Sequence, residues 1–127
     1  MTKQLTVTDV KVFAPTKDFE LSLSFYKELG WNCNWSDGKY AEMELGGVRF
    51  FLQKYYHKGW ANNFMFYINV EDVQAWYEHA LRVIEEGDFG KARIKAPEKQ
   101  PHGDVVCHVW DPTGILLHFA QSQANQS

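Results

Sequence analysis

Positions 105–110 alternate: Val105, Cys107 and Val109 fall on one parity, and Val106, His108 and Trp110 on the other. A period of two is the mark of a strand. Asp111-Pro112-Thr113-Gly114 then supplies turn chemistry, because Asp bonds nearby backbone, Pro presets φ and Gly accepts positive φ. Residues 115–120 read as a second strand, so the stretch is a hairpin. It carries His102, His108, Trp110 and His118 close together in sequence, a candidate wall for a binding site.

The rest of the chain gives two similar patterns. Residues 5–13 are strand-like and Pro15-Thr16-Lys17 ends them. Asp18 is a candidate N-cap. Leu21, Phe25 and Leu29, with Tyr26, make one apolar helical face, and Gly30 stands where a C′ residue would. Three strands are expected next, over 31–36, 39–45 and 48–53, separated by Asp37-Gly38 and Gly46-Gly47. After a charged, aromatic connector at 54–62, residues 63–70 read as a strand. Asp72 opens a helix with Val73, Trp76, Tyr77, Ala80, Leu81 and Ile84 on one face, closed by Gly87. A weak strand at 92–96 and the hairpin complete the second pattern. The expected fold is α+β: two βαβββ modules forming half-open sheets round a pocket. It is one domain over 1–127, with modules at 1–53 and 63–121 and a polar, frayed tail at 122–127.

Length and composition narrow the classes. A chain of 127 residues suits one core. No apolar run nears the ~20 residues of a membrane span, and the N-terminus lacks the apolar core of a signal peptide. A cytoplasmic location is expected. Cys33 and Cys107 show no metal spacing and read as core residues. A net charge of −3 argues against a nucleic-acid partner. Aromatic residues reach 16%, with five Trp, six Tyr and nine Phe. An aromatic-lined ligand pocket and an oligomer interface both account for that excess.

The chemistry-bearing residues are few. Glu42 and Glu44 share one strand face and could attract a cationic ligand, act as a general base and its neighbour, or simply be solvated. Cys107 and His108 are adjacent on a strand and point to opposite faces. No phosphate loop, Ser–His–Asp set or HExxH occurs. His118, alone in an apolar strand, reads first as a hydrogen-bonded structural residue.

The stretches SFYKELGW, GGVRFFL, NVEDVQAWYEHA and HVWDPTGILLHFA resemble the vicinal oxygen chelate superfamily, which includes glyoxalase I, extradiol dioxygenases and bleomycin and fosfomycin resistance proteins. The QPxG turn (Gln100, Pro101, Gly103) and the DPxGxxxHF ending (Asp111, Pro112, Gly114, His118, Phe119) are most similar to the bleomycin resistance branch. The resemblance implies four metal-ligand positions, here Lys11, Phe51 or Leu52, Met65 and His118. Of these only His118 is a suitable ligand; a slip in the first strand would put Asp9 at the first position and give two candidates, Asp9 and His118, still one short of a site. No cofactor and no metal are therefore expected, and catalytic residues are none.

The resemblance also implies a ligand cleft at a dimer interface. Trp35 and Tyr40 stand at stacking positions, Asn34 where an acid is expected, and Asn62 also in place of an acid. Asn63 and Gly103 match the family, and His102 replaces a Trp. Glu42, Trp60 and Trp110 complete the candidate ligand-binding set, with Asp37, Glu42 and Glu44 able to offset the lost acids. Family members exchange the first strand between subunits. Here Val12 takes the place of the hinge proline, and Pro15 lies three residues later. The expected function is metal-free sequestration of a planar, cationic aromatic small molecule by a homodimer, with a bleomycin-type antibiotic as one candidate. The alternatives are a metal-dependent lyase, isomerase or dioxygenase, and an interaction module with a flat aromatic patch.

Overall fold

Asp18 and Asp72 each open a helix in the same way. In the computed structural model, which describes residues 4–123, the Asp18 carboxylate accepts the Leu21 amide at 3.1 Å and the Asp72 carboxylate the Ala75 amide at 3.0 Å. Each satisfies a backbone donor that a helix start leaves free. The helices are α1 (Phe19–Leu29) and α3 (Val73–Glu86). Gly30 closes α1 at φ +119, a left-handed conformation in which a side chain would be strained.

Each long helix sits within a four-stranded sheet unit. The first sheet holds β1 (Phe13–Pro15), β2 (Asn32–Ser36), β3 (Tyr40–Leu45) and β4 (Val48–Gln53), in the order β1-β4-β3-β2. The second holds β5 (Met65–Asn69), β6 (Arg93–Lys99), β7 (Val105–Trp110) and β8 (Leu116–Gln121), in the order β5-β8-β7-β6. β1 runs parallel to β4, as β5 does to β8, and the remaining pairs are antiparallel. The chain is therefore α+β and built from two βαβββ modules.

One apolar cluster runs through both modules. Phe25, Tyr26 and Leu29 of α1, Phe50 and Leu52 of β4, Val73 and Ala80 of α3, and Cys107, Leu117 and Phe119 of the hairpin are all buried in it. Trp76 stacks on Phe119 with ring centroids 4.7 Å apart, and Phe50 meets Phe66 at 4.9 Å. Polar bonds join the modules as well. Tyr26 Oη donates to Asp111 Oδ2 at 2.7 Å, and the Ser22 and Thr113 hydroxyls lie 3.1 Å apart. His79 Nε2 donates to the Glu28 and Leu29 carbonyls, at 3.1 Å each.

Four expectations from the sequence change. The strand expected at 5–13 is reduced to β1, because only Phe13–Pro15 finds a ladder partner, on β4. Phe51 also donates its amide to the Val12 carbonyl at 2.9 Å. Pro15 ends β1, an edge strand where a missing N–H is tolerated. The connector contains a short helix, α2 (Lys58–Asn63), capped by His57. Its Gly59 and two Asn residues are poor helix formers and hid it. Asn63 consequently belongs to α2, and the following strand starts at Met65. β6 is longer than 92–96 and shifts register between Lys95 and Glu98, where Pro97 cannot donate to the ladder. On α1, Phe19 and Ser22 are buried while Leu21 is only half-buried. Of the expected tail, 124–127 lies outside the described residues.

Candidate functional site

The outer face of the first sheet is an aromatic floor with charges set into it. Trp35 pairs with Glu42 across β2 and β3, and Glu42 with Phe51 across β3 and β4. Phe51 lies 5.8 Å from Trp35 and stacks on Phe13 at 4.9 Å, and Phe13 meets Tyr40 edge-on at 5.7 Å. These spacings suit aromatic contact. Trp35 keeps 45% of its surface exposed and Phe13 44%, so the floor has room to stack a further ring.

The acids on this face already have partners. Lys11 Nζ donates to Glu42 Oε1 at 2.6 Å and lies 5.3 Å from the Phe51 ring centroid. Asn34 Nδ2 donates to Glu42 at 2.9 Å and to Glu44 at 2.8 Å. Arg49 lies 3.3 Å from Glu44 and 3.7 Å from Asp9. The Lys11 bond, then the Asn34 bond, hold the Glu42 carboxyl below the usual glutamate range. Asp37 caps the β2–β3 turn instead of offering its charge, taking the Lys39 and Tyr40 amides at 2.9 and 2.8 Å.

The second sheet presents a different face. Tyr67 pairs with His118 across β5 and β8, and His118 with His108 across β7 and β8. The His108 and His118 ring centroids are 5.1 Å apart, and Tyr67 lies 5.5 Å from His118. Tyr67 donates to Asp104 at 2.6 Å, so His102 Nε2, 3.1 Å from the same oxygen, donates to Tyr67. The Asp104 bond, with some burial, pushes the Tyr67 hydroxyl up to about 12. Trp110 is flanked by the Arg93 guanidinium at 3.7 Å and by His108 at 6.2 Å. Burial, then His118 and Lys95, hold His108 below the usual histidine range.

Within one chain the candidate residues fall into three places. Asn34, Trp35, Tyr40 and Glu42 lie on the first face, and His102 and Trp110 on the second. Gly103 closes the Gln100 turn at φ +107. Among the described residues no hydrogen bond, ion pair or ring contact joins the two faces. Trp60 lies on α2 against Tyr55 and Phe64, and Asn63 donates to the Gly59 carbonyl at 2.8 Å. Sequence reasoning missed Phe13 and Tyr67, and met Phe51 only as a metal-ligand position and not as a stacking residue. Their signal was present, since Phe51 shares parity with Arg49 on β4, but an unpaired strand does not show which parity faces outward.

A groove of about 790 Å³ lies where the modules meet, walled by Trp31, Val48, Phe50, Phe66, Ile68 and Trp76 among others. Val10 and Val12 of the N-terminal segment line its mouth. Among the described residues the buried Trp31 indole N–H has no hydrogen-bond partner.

The superfamily's metal set does not fit this chain. Lys11 is bonded to Glu42, Phe51 is part of the aromatic floor and Leu52 is in the core. Asp9, the alternative, bonds the Val10 amide and faces Arg49. His118 Nδ1 donates to the Phe66 carbonyl at 3.0 Å, as a structural histidine would. Among the described residues no group of three or more His, Cys, Asp or Glu could hold a metal ion. The cysteines offer no nucleophile–base pair. Cys107 is buried on the helix side, its thiol donates to the Lys95 carbonyl, and burial pushes it up to about 11. Among the described residues no helix is long and apolar enough to cross a membrane.

Paired βαβββ modules with open, aromatic outer faces define a class of fold, and the chain resembles the vicinal oxygen chelate superfamily in it. Its similarities are to bleomycin resistance proteins. It is 29% identical over 113 residues to a bleomycin resistance protein of Klebsiella pneumoniae, covering 86% of this chain and 88% of that one. The crystal structure of a bleomycin-binding protein complexed with bleomycin superposes with a TM-score of 0.76 at 26% identity, covering 92% of this chain and all of the other. A bleomycin resistance determinant encoded on the transposon Tn5 gives 0.77 at 27% identity, over 91% of this chain and 99% of that one. No protein-family model matches the chain.

Proposed function

We propose that the protein binds and sequesters a planar aromatic small molecule of the bleomycin type, without turnover, and so confers resistance. The aromatic floor of Phe13, Trp35, Tyr40 and Phe51 carries this reading, because it is an open stacking surface on a module otherwise closed round its core. The relatives named above, one of them solved with bleomycin bound, support the ligand class. No resident catalytic metal is invoked, in keeping with the residues at the superfamily's ligand positions.

The cleft is formed between two copies in this reading. One chain holds its two faces apart, and a homodimer would set the first face of one copy against the second face of the other. The N-terminal segment supports association: Leu5 is 87% and Val7 80% exposed, with Val10 and Val12 beside the apolar groove. Exposed apolar surface of that kind marks interaction sites. Such a dimer would act in the cytoplasm. The ligand's cationic part would meet Glu42 and Glu44 only by competing with Lys11 and Arg49, so affinity for polycations is set by that exchange.

The test is a titration of tryptophan fluorescence with bleomycin and a panel of cationic aromatic compounds, with and without EDTA. Saturable quenching near one ligand per subunit, unaffected by EDTA and lost in Trp35→Ala, is the expected result. Unchanged affinity in Trp35→Ala would remove the proposed cleft.

A further inference from the structure

Three observations on the second face single out His108 and His118. They are cross-strand partners, so both side chains leave the sheet on one side. Their ring centroids stand 5.1 Å apart. Two imidazoles sharing an ion through bonds of about 2.0–2.1 Å hold their centroids about 4.5–5.5 Å apart. The tautomer of His118 is set as well. A carbonyl only accepts, so the 3.0 Å bond from His118 Nδ1 to the Phe66 oxygen puts the proton on Nδ1 and leaves the Nε2 lone pair free. A histidine anchored through its other nitrogen in this way is the usual arrangement of a metal-ligating imidazole. His108 makes no hydrogen bond among the described residues, and both rings are only half-buried.

We propose that His108 and His118 form a two-nitrogen site for a borderline divalent ion of the Cu²⁺, Ni²⁺ or Zn²⁺ type, open on its outer side. Imidazole suits these ions, whereas Mg²⁺ and Ca²⁺ prefer oxygen. Two protein ligands are too few for a closed structural site and leave coordination positions vacant. Binding of the ion at this pair does not rest on the cleft proposed above. The pair differs from the superfamily's metal set, with which it shares only His118. Lys95, the cross-strand partner of His108 on β6, opposes the ion's charge. It is exposed, so its effect is screened by salt.

The experiment is a calorimetric titration of the full chain with glycine-buffered Cu²⁺ alone, paired with electron paramagnetic resonance of the product. One Cu²⁺ per chain with nitrogen coupling is expected. His108→Ala and His118→Asn should each weaken it at least about tenfold, while His57→Asn, in the connector, leaves it unchanged. Asn at 118 keeps an N–H donor for the Phe66 carbonyl, so loss of binding there would not report unfolding. Absence of saturable Cu²⁺ binding, or wild-type affinity in His108→Ala, would overturn the site. Titration with the metal-free aromatic panel separates the two readings. Copper bound at the pair with no panel compound bound would sink the cleft alone. Panel binding with copper ignored would sink this site alone.

Discussion

Tyr26 Oη donates to Asp111 Oδ2 across 2.7 Å, although 85 residues of chain separate them. The bond joins α1 of the first module to the β7–β8 turn of the second, and both side chains are buried. Asp111 Oδ1 also accepts the Thr113, Gly114 and Ile115 amides at 2.8 to 2.9 Å. One carboxyl therefore fixes a turn within its own module and anchors the other module.

Tyr26→Phe keeps the ring in the core and removes the only side-chain donor to Asp111 seen among the described residues. Leaving a buried acceptor short of a partner costs about 1–3 kcal/mol. Urea unfolding should show a lower midpoint with little change of slope. Equal midpoints for Tyr26→Phe and the wild type would mean that the bond contributes nothing to holding the modules.

Burial outweighs the bonds donated by Tyr26, Ile115, Thr113 and Gly114, and pushes Asp111 up to about 6. The Tyr26 hydroxyl is itself held well above its usual range, first by burial and then by Asp111, and stays protonated. An unfolded aspartate titrates near ~3.9, so the folded state binds the extra proton between about pH 4 and pH 6. This contribution to stability is fully present below about pH 4 and is lost as pH rises through 6, by about 2–3 kcal/mol. Asp111→Asn should flatten that part of the stability–pH curve. Parallel curves for variant and wild type would contradict the shift.

Lys11 competes with any cationic ligand for Glu42. Lys11→Met frees the carboxylate and keeps an apolar stem beside Phe51. Affinity for cationic aromatic compounds should rise about two- to fivefold, the scale of a screened ion pair, and more at low salt than at high salt. Affinity for neutral aromatics should stay level. A rise for both classes would point to packing at Phe51 instead of charge.

The N-terminal segment offers a test of association. Val7→Asp and Val10→Asp place charges on its exposed apolar positions without touching the buried core. Sedimentation should show a dimer for the wild type and monomer at the same concentration for the double variant. A wild-type monomer at tens of micromolar would remove the interface from the proposed site.

Much of the architecture was readable from period and punctuation. Asp18 and Asp72 announced the helix starts, Gly30 an ending, and the Asp111–Gly114 turn a hairpin, because these features are local in cause. Residues 5–13 misled for a complementary reason. Their β-branched and aromatic residues suit a strand, but a strand exists only where a neighbour supplies a ladder, and a sequence does not display neighbours. The site suffered from the same gap. Trp35 and Tyr40 were legible through family resemblance, whereas Phe13 and Phe51 join them only once β1 and β4 are in register. The acids at 42 and 44 looked available because Lys11 is 31 residues from Glu42 in the chain.

The two modules share strand order yet present unlike faces, one with aromatic rings and paired acids and the other with histidines and a tyrosine. Two copies related by a twofold axis would give two equivalent clefts, each with one wall of either kind. A guest entering such a cleft would meet different chemistry at its two ends. An elongated molecule with dissimilar ends would therefore be held in a single direction, while one whose ends are alike would gain from only one of them.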